Sequence, residues 1–476
     1  MEKKSRGSFT GNLGFVLAAA GSAVGLGNLW RFPYLAAKDG GGLFILLYIV
    51  LSLTVGFALM AAEIAIGRKT GLSPLQAYGK LNSKFKFLGY LATIVPLIIF
   101  PYYCVIGGWV TKYAVTYSTG GAAHLYETGA GNFFTSFISA TASPLIYFLV
   151  FMVITGVVIV LGVEKGIENF SKILMPTLVF LIIGIAIYTF TLPAISDENG
   201  TRTVWQGLKI YLVPSFKGIT APKFFSILLD AFGQMFYSLS IAMGILITYG
   251  SYSKKDSNLI TSVNQIEIFD TGIALLAGLI IIPSVYLFQG AEGLQKSGPS
   301  LMFVSLPSIF EQMGVVGTVV GALFFVLVFF AALTSSISLM ETIASSIIDR
   351  FHLTRPVATA LTFVVSTVIG AIVCLGYSDT IFNVNINLPN GAQNQQILDL
   401  LDYIANSILL PIVAVITCFL VGWFYKPKGI IEEIEIGLDG KTFYRKGLFV
   451  VTIKYVAPVL IAIIMLQAFN VFSFLG

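Results

Sequence analysis

The chain has few of the side chains on which enzymes and secreted proteins usually rely. It has two histidines and three cysteines in 476 residues. His124 and His352 fall near predicted loops and no H-E-x-x-H occurs, so the converging acid–base or metal-ligand set of a membrane-embedded enzyme is missing. Cys104, Cys374 and Cys418 lie in three different apolar runs without C-x-x-C spacing, which speaks against a disulfide framework and a zinc site and leaves them as small buried hydrophobes. Charge is scarce too. Charged residues make up 11%, against about a quarter in soluble domains, and 56% of the residues are hydrophobic. A soluble globular protein is excluded, and an all-α polytopic membrane protein is expected.

Apolar runs of about 20 residues fall near 12–33, 41–67, 87–116, 144–162, 169–192, 224–250, 258–288, 315–348, 356–377, 397–424 and 447–473. These predict about eleven membrane helices, numbered here as spans 1 to 11. Lysine and arginine bias orients such helices. With a cytoplasmic N-terminus, nineteen of the 28 basic residues fall on the inner side and seven on the outer, Arg31 and Lys454 lying inside spans. The expected product is a multi-pass protein of the cell membrane with its N-terminus cytoplasmic and its C-terminus extracytoplasmic. The stretch 71–86 reads as polar and basic, a cytoplasmic loop or an interfacial helix, residues 118–143 as an outer loop, and the charged linker after Lys426 as a solvated inner loop.

The first run, Gly11 to Pro33, is too long and too polar in its second half for a cleaved signal peptide, and it lacks an A-x-A-like exit. It is also a poor anchor. Gly21, Gly25 and Gly27 stand in its middle, with Ser22, Asn28 and Arg31 beyond. Glycine costs about 1 kcal/mol against alanine in a helix interior, and arginine at bilayer depth at least about 2.5 kcal/mol. A span that accepts both is expected to be broken, its freed backbone lining a cavity. Span 6 repeats the anomaly, with Gln234, Ser238, Ser240 and Gly244 inside an apolar helix. Two irregular spans at corresponding positions, five helices apart, point to a transporter site between inverted repeats.

Helix breaks at bilayer depth present N–H groups suited to a carboxylate and C=O groups suited to a cation. The polar side chains within the spans, Asn28, Ser238, Asp270, Thr334 and Ser335, are hard oxygen ligands of the kind sodium prefers. Each has a plainer explanation. Gly21 and Gly25 form a G-x-x-x-G that often marks helix packing, and Thr334 and Ser335 are able to hydrogen-bond within their own helix. Asp270 and Arg31 are harder to dismiss, because ionisable groups inside spans are functional by default.

The strings GSAVGLGNLWRFPYLAAKDGGGLF in span 1, Gln234 to Tyr252 in span 6 and FFAALTSSIS in span 8 resemble the neurotransmitter:sodium symporter family, in particular its bacterial amino-acid transporters. The likeness runs over nearly the whole chain. It implies a single transporter domain, 1–476, with the LeuT fold: inverted repeats at approximately 11–192 and 224–424, broken helices 1 and 6, and an extra helix near 447–473. It further implies a sodium-coupled symporter, not an enzyme, that imports a small-molecule substrate, an amino acid, across the lipid bilayer by alternating access and has no nucleic-acid partner.

By motif position the resemblance places a first sodium ion on the Ala23 carbonyl, Asn28, Ser238, Asp270 and the substrate carboxylate. A second falls on carbonyls of Gly21, Val24 and Ala331 with the Thr334 and Ser335 hydroxyls. Substrate is expected to meet Ser22, Ala23, Gly25, Ile99, Tyr103, Tyr237, Ser238, Ser240, Met243, Ser335 and Leu339. The outer gate is expected to pair Arg31 with Asp402 under Tyr103 and Tyr237, and the inner gate to join Arg6 and Asp349 near Tyr252.

Departures from the family pattern refine this. Asp270 replaces a frequent Asn, and Ala274, four residues on, offers no hydroxyl for chloride, so chloride independence is expected. Gly25 stands where amine transporters carry aspartate, which favours a ligand with its own carboxylate, a neutral amino acid. Met243 replaces a phenylalanine and suits an adaptable pocket for bulky hydrophobic or aromatic side chains. Ala242 replaces a frequent glycine at the span 6 break. A twelfth span found in some members is lacking. A sodium-dependent sensor or channel-like protein of the same fold is the alternative.

Overall fold

The computed structural model describes residues 7–197, 200–216, 218–296, 298–378, 381, 384–438, 440 and 442–471. Eight continuous helices within them are long and apolar enough to cross a membrane, and the bent pair Asn12–Ala23 and Gly27–Lys38 makes a ninth. One of the eight, Ala142–Thr189, has 48 residues, which would extend about 72 Å at 1.5 Å per residue, twice the apolar core of a bilayer. It reverses at Gly162 (φ +91°), a backbone angle few other residues adopt, and so supplies spans 4 and 5. Span 6 is split into Ala221–Ser238 and Ile245–Gly250. The eleven expected spans are therefore present.

Spans 1 and 6 lie at the centre, packed among spans 2, 3, 7 and 8, while span 8 (Gly314–Phe351) leans along span 3 (Lys86–Ser118). The second half of span 6 presses directly on span 2. A Cβ at Gly67 would stand 2.0 Å from the Ile247 carbonyl oxygen, and one at Gly250 2.4 Å from that of Ile64. Only glycine permits this approach, which holds the short half-helix in place by backbone contact.

Two connections differ from expectation. Residues 118–143 contain two helices, Ala122–Thr128 and Ala130–Ser139, because Leu125, Phe133, Phe134 and Phe137 turn inward among Trp109, Tyr113 and Tyr147. The stretch after span 2 forms a helix, Pro74–Leu81, one of its two expected forms, whereas the charged linker opens with an unexpected one, Pro427–Glu435. That linker is not solvated throughout. Arg68 and Glu433 are each 2% exposed and paired at 2.9 Å, with Lys255 adding a contact at 2.8 Å. The three cysteines are free and buried, as expected.

Candidate functional site

Span 1 leaves the helix at Val24 (φ −73°, ψ 103°) and resumes at Gly27, its halves bent by 52°. Asn28 holds the break. Its Oδ1 accepts the Gly25 N–H at 2.9 Å, and its amide donates to the Asp270 carboxylate at 2.8 Å and carbonyl at 3.2 Å. Ser238, the last helical residue of the first half of span 6, donates to the same carboxylate oxygen at 2.8 Å. Tyr48 of span 2 donates to the other oxygen at 2.7 Å. Asp270 is thus fully buried among three neutral donors and forms no ion pair among the described residues. A buried carboxylate in this state lacks a countercharge, and hard oxygens are gathered around it.

A second oxygen cluster joins span 1 to span 8. Ser335 Oγ lies 3.2 Å from the Ala331 carbonyl, 3.2 Å from that of Ser22 and 3.4 Å from that of Val24. Thr334 Oγ1 reaches the Ala331 carbonyl at 3.1 Å, and a Cβ on Gly21 would touch Thr334 at 3.1 Å. All five residues expected at a second ion therefore meet. Among the described residues no three His, Cys, Asp or Glu side chains converge, so both clusters are built mainly from neutral oxygen.

Between the clusters lies a cavity of about 30 Å³ lined by every one of the eleven expected substrate residues. Leu26, Gly27, Asn28, Ile245 and Ser338 complete it. Gly25 is where the wall is thinnest: a Cβ there would stand 2.8 Å from Ser335 Oγ and 3.3 Å from the Tyr103 hydroxyl, which is buried without a hydrogen bond. No charged side chain lines this cavity. Ser338 Oγ is 2.7 Å from Ser22 Oγ. Its position one helical turn after Ser335 was the available signal for it. Tyr48 gave only the signal of a lone hydroxyl in an apolar run.

A second cavity, of about 340 Å³, opens away from the N-terminal side and shares Leu26, Tyr103 and Tyr237 with the first. These three residues are the partition. Arg31 and Asp402 line only the second cavity, so they stand beyond the tyrosines, and the expected ion pair between them does not form here. The Arg31 guanidinium instead sits 5.9 Å from the Tyr237 ring centre. Asp402 accepts from Tyr102 at 2.9 Å and Asn406 at 2.6 Å. Tyr102, not Tyr103, is its partner, because one residue along a helix turns the side chain to another face.

At the N-terminal side Arg6 lies outside the described residues. Asp349 accepts the Ser73 N–H at 2.7 Å, and Tyr252 donates to Glu341 at 2.6 Å, which also pairs with Arg355 at 2.6 Å. Phe9 is 1% exposed and meets Phe15, Tyr249 and Tyr252 edge-on. Thr10 donates to Glu168. Beyond the opposite end, two ion pairs of 3.0 Å, Lys38–Asp230 and Lys223–Asp39, tie the far halves of spans 1 and 6 together. Burial and then the Asp230 carboxylate push Asp39 up to about 6, against the pull of Lys223 and Lys38.

Two broken helices around a closed cavity, flanked by oxygen clusters, define a secondary transporter. The chain belongs to the sodium:neurotransmitter symporter family, whose profile it matches over residues 6–125 and 134–475. It is 31% identical to the uncharacterized sodium-dependent transporter YhdH of Bacillus subtilis, covering all of both chains. A human sodium- and chloride-dependent GABA transporter 2 is 26% identical over 91% of this chain and 77% of its own. The crystal structure of MhsT in complex with L-phenylalanine superposes with a TM-score of 0.83 at 34% identity, over 97% of this chain and 100% of that one. The fold is the LeuT fold, and the chain is a sodium-dependent, multi-pass membrane transporter, not an enzyme.

Proposed function

We propose that the protein imports a neutral L-amino acid with a bulky hydrophobic or aromatic side chain, together with two sodium ions and without chloride. The observation that carries this reading is Asp270, a buried carboxylate without a countercharge, set beside a cavity that has no charge of its own. A first sodium ion on Asp270, Asn28, Ser238 and the Ala23 carbonyl offsets that charge, and the same ion has a coordination position left for a substrate carboxylate, whose charge the substrate's own ammonium balances. The second takes the cluster of Gly21, Val24, Ala331, Thr334 and Ser335. Substrate and first ion then raise each other's affinity by one factor, and two charges moving inward gain roughly 4.6 kcal/mol per 100 mV.

The cavity must widen to admit such a side chain, and Met243 and Leu339 are its compliant walls. The L-phenylalanine in the MhsT crystal supports the aromatic preference. In this reading the N-terminal side is cytoplasmic, the repeats run approximately 11–192 and 224–424 within one domain, Tyr103 and Tyr237 close the outer path, and Arg31 meets Asp402 only on fuller closure. The deciding experiment is uptake of labelled amino acids into proteoliposomes, with sodium against choline and chloride against gluconate. Accumulation of L-phenylalanine that needs sodium and ignores chloride is expected. Binding without accumulation would mean a sensor, sodium current without coupled uptake a channel, and a large drop in gluconate would end chloride independence.

A further inference from the structure

Between spans 3, 8 and 9 runs a groove of about 420 Å³ with no part in the site above. Tyr90 and Ile94 of span 3, Ile347 and Phe351 of span 8, and Leu361 and Val365 of span 9 form its walls. Except for Ile347 these side chains are between 41% and 64% exposed, so the groove opens sideways, where the bilayer is. Its three aliphatic hydroxyls are already spent. Thr93, Ser346 and Thr362 each donate to a carbonyl four residues back, Gly89, Thr342 and Ala358. Before its charged end the phenol of Tyr90 is the one other polar side chain in the lining, so most of its length suits hydrocarbon.

One end is different. Arg350 lies one turn beyond Ile347 and lines the groove, and Lys86 lies one turn before Tyr90, on the same side of span 3. Both are exposed, and no carboxylate lies within ion-pair distance of either among the described residues. Their neighbours behave otherwise: Arg68 and Arg355 are bound to Glu433 and Glu341. An apolar trough that ends in two unneutralised cations at the membrane surface matches an acyl chain with an anionic head group. A guanidinium is well formed to clasp phosphate.

We propose that this groove holds one anionic phospholipid from the surrounding leaflet, its acyl chain along spans 3, 8 and 9 and its phosphate on Arg350 and Lys86. The chain would rest on the backs of the substrate helices. Leu97 of the groove stands two residues before Ile99, and Ile343 one turn after Leu339, both in the central cavity.

The test uses the full-length protein in phosphatidylcholine nanodiscs with phosphatidylglycerol added, the retained lipid being read by native mass spectrometry. Wild type is expected to retain one phosphatidylglycerol in preference to phosphatidylcholine. Arg350→Ala and Lys86→Ala should each lower that preference about fivefold. Ile347→Trp, which fills the groove and leaves its charge alone, should lower occupancy of both lipids. Equal retention of the two lipids by wild type, or a preference untouched by both charge variants, would overturn the proposal. Should Arg350→Ala fail to fold, Lys86→Ala, at an exposed helix start, reads the same contact.

Discussion

The two breaks at the centre of the molecule look alike in outline and are held open by different means. In span 1 the chain leaves the helix without strain, and Asn28 links the break to the Asp270 carboxylate. In span 6 three residues in six, Ser240 (φ 54°), Ala242 (φ 64°) and Gly244 (φ 73°), adopt left-handed angles. Such angles cost roughly 1–2 kcal/mol for a residue with a Cβ. The strained turn is pinned by Glu63, which accepts the Ala242 N–H at 2.8 Å. The first break should therefore respond to whatever neutralises Asp270. The second reaches the same carboxylate through Ser238 but has Glu63 as an anchor of its own, so it is expected to be the less responsive of the two.

That contrast can be broken most forcefully at Asp270. Asp270→Ala removes the carboxylate from three donors, each worth about 1.5–3 kcal/mol toward a charge, so sodium-dependent uptake should fall at least about a hundredfold. Uptake at wild-type level would refute the ion-dependent hinge. Glu63→Ala should lower stability in detergent by about 1–3 kcal/mol, read as the thermal midpoint, with sodium affinity within about twofold of wild type. A large loss of sodium affinity would mean that the second break senses ions too.

A smaller effect is expected from Ala242→Gly, which relieves the left-handed alanine and should raise stability by about 0.5–1 kcal/mol; no gain would show that the turn is not strained. The last concerns the strap between the far halves and is read through pH. Because the Asp39 value is raised from 3.8 to about 6, its protonated form is favoured in the docked arrangement. Its stabilising contribution is then full below 3.8 and fades as pH rises through about 6. Thermal midpoints of wild type, compared with Asp39→Asn across that range, should show a gain at low pH that the variant lacks.

Much of this was legible in the sequence because membrane physics makes anomalies expensive. Asn28, Arg31, Ser238 and Asp270 stood out against apolar runs, and each lies at or beside the centre. Glu63 too lies inside an apolar run, yet nothing local ties it to an amide 179 residues away. Tyr48 passed as an ordinary span residue because a phenol is mostly ring. The linker after Lys426 read as solvated by composition, but Glu433 is buried by a partner, Arg68, 365 residues distant. Composition carries the cost of burying a charge and is silent about the countercharge that offsets it. Arg31 and Asp402 were expected to touch on the family resemblance, although each has found a nearer neighbour, Tyr237 and Tyr102.

The aromatic seal around Phe9 has a kinetic meaning. Rings packed edge to edge part only when apolar surface is exposed, a barrier that ordinary salt barely screens and that changes with temperature. A latch made of opposite charges at a wet surface responds in the reverse manner. If release toward the N-terminal side limits turnover, the rate should hardly respond to ionic strength, and the apolar share of its barrier should weaken in the cold.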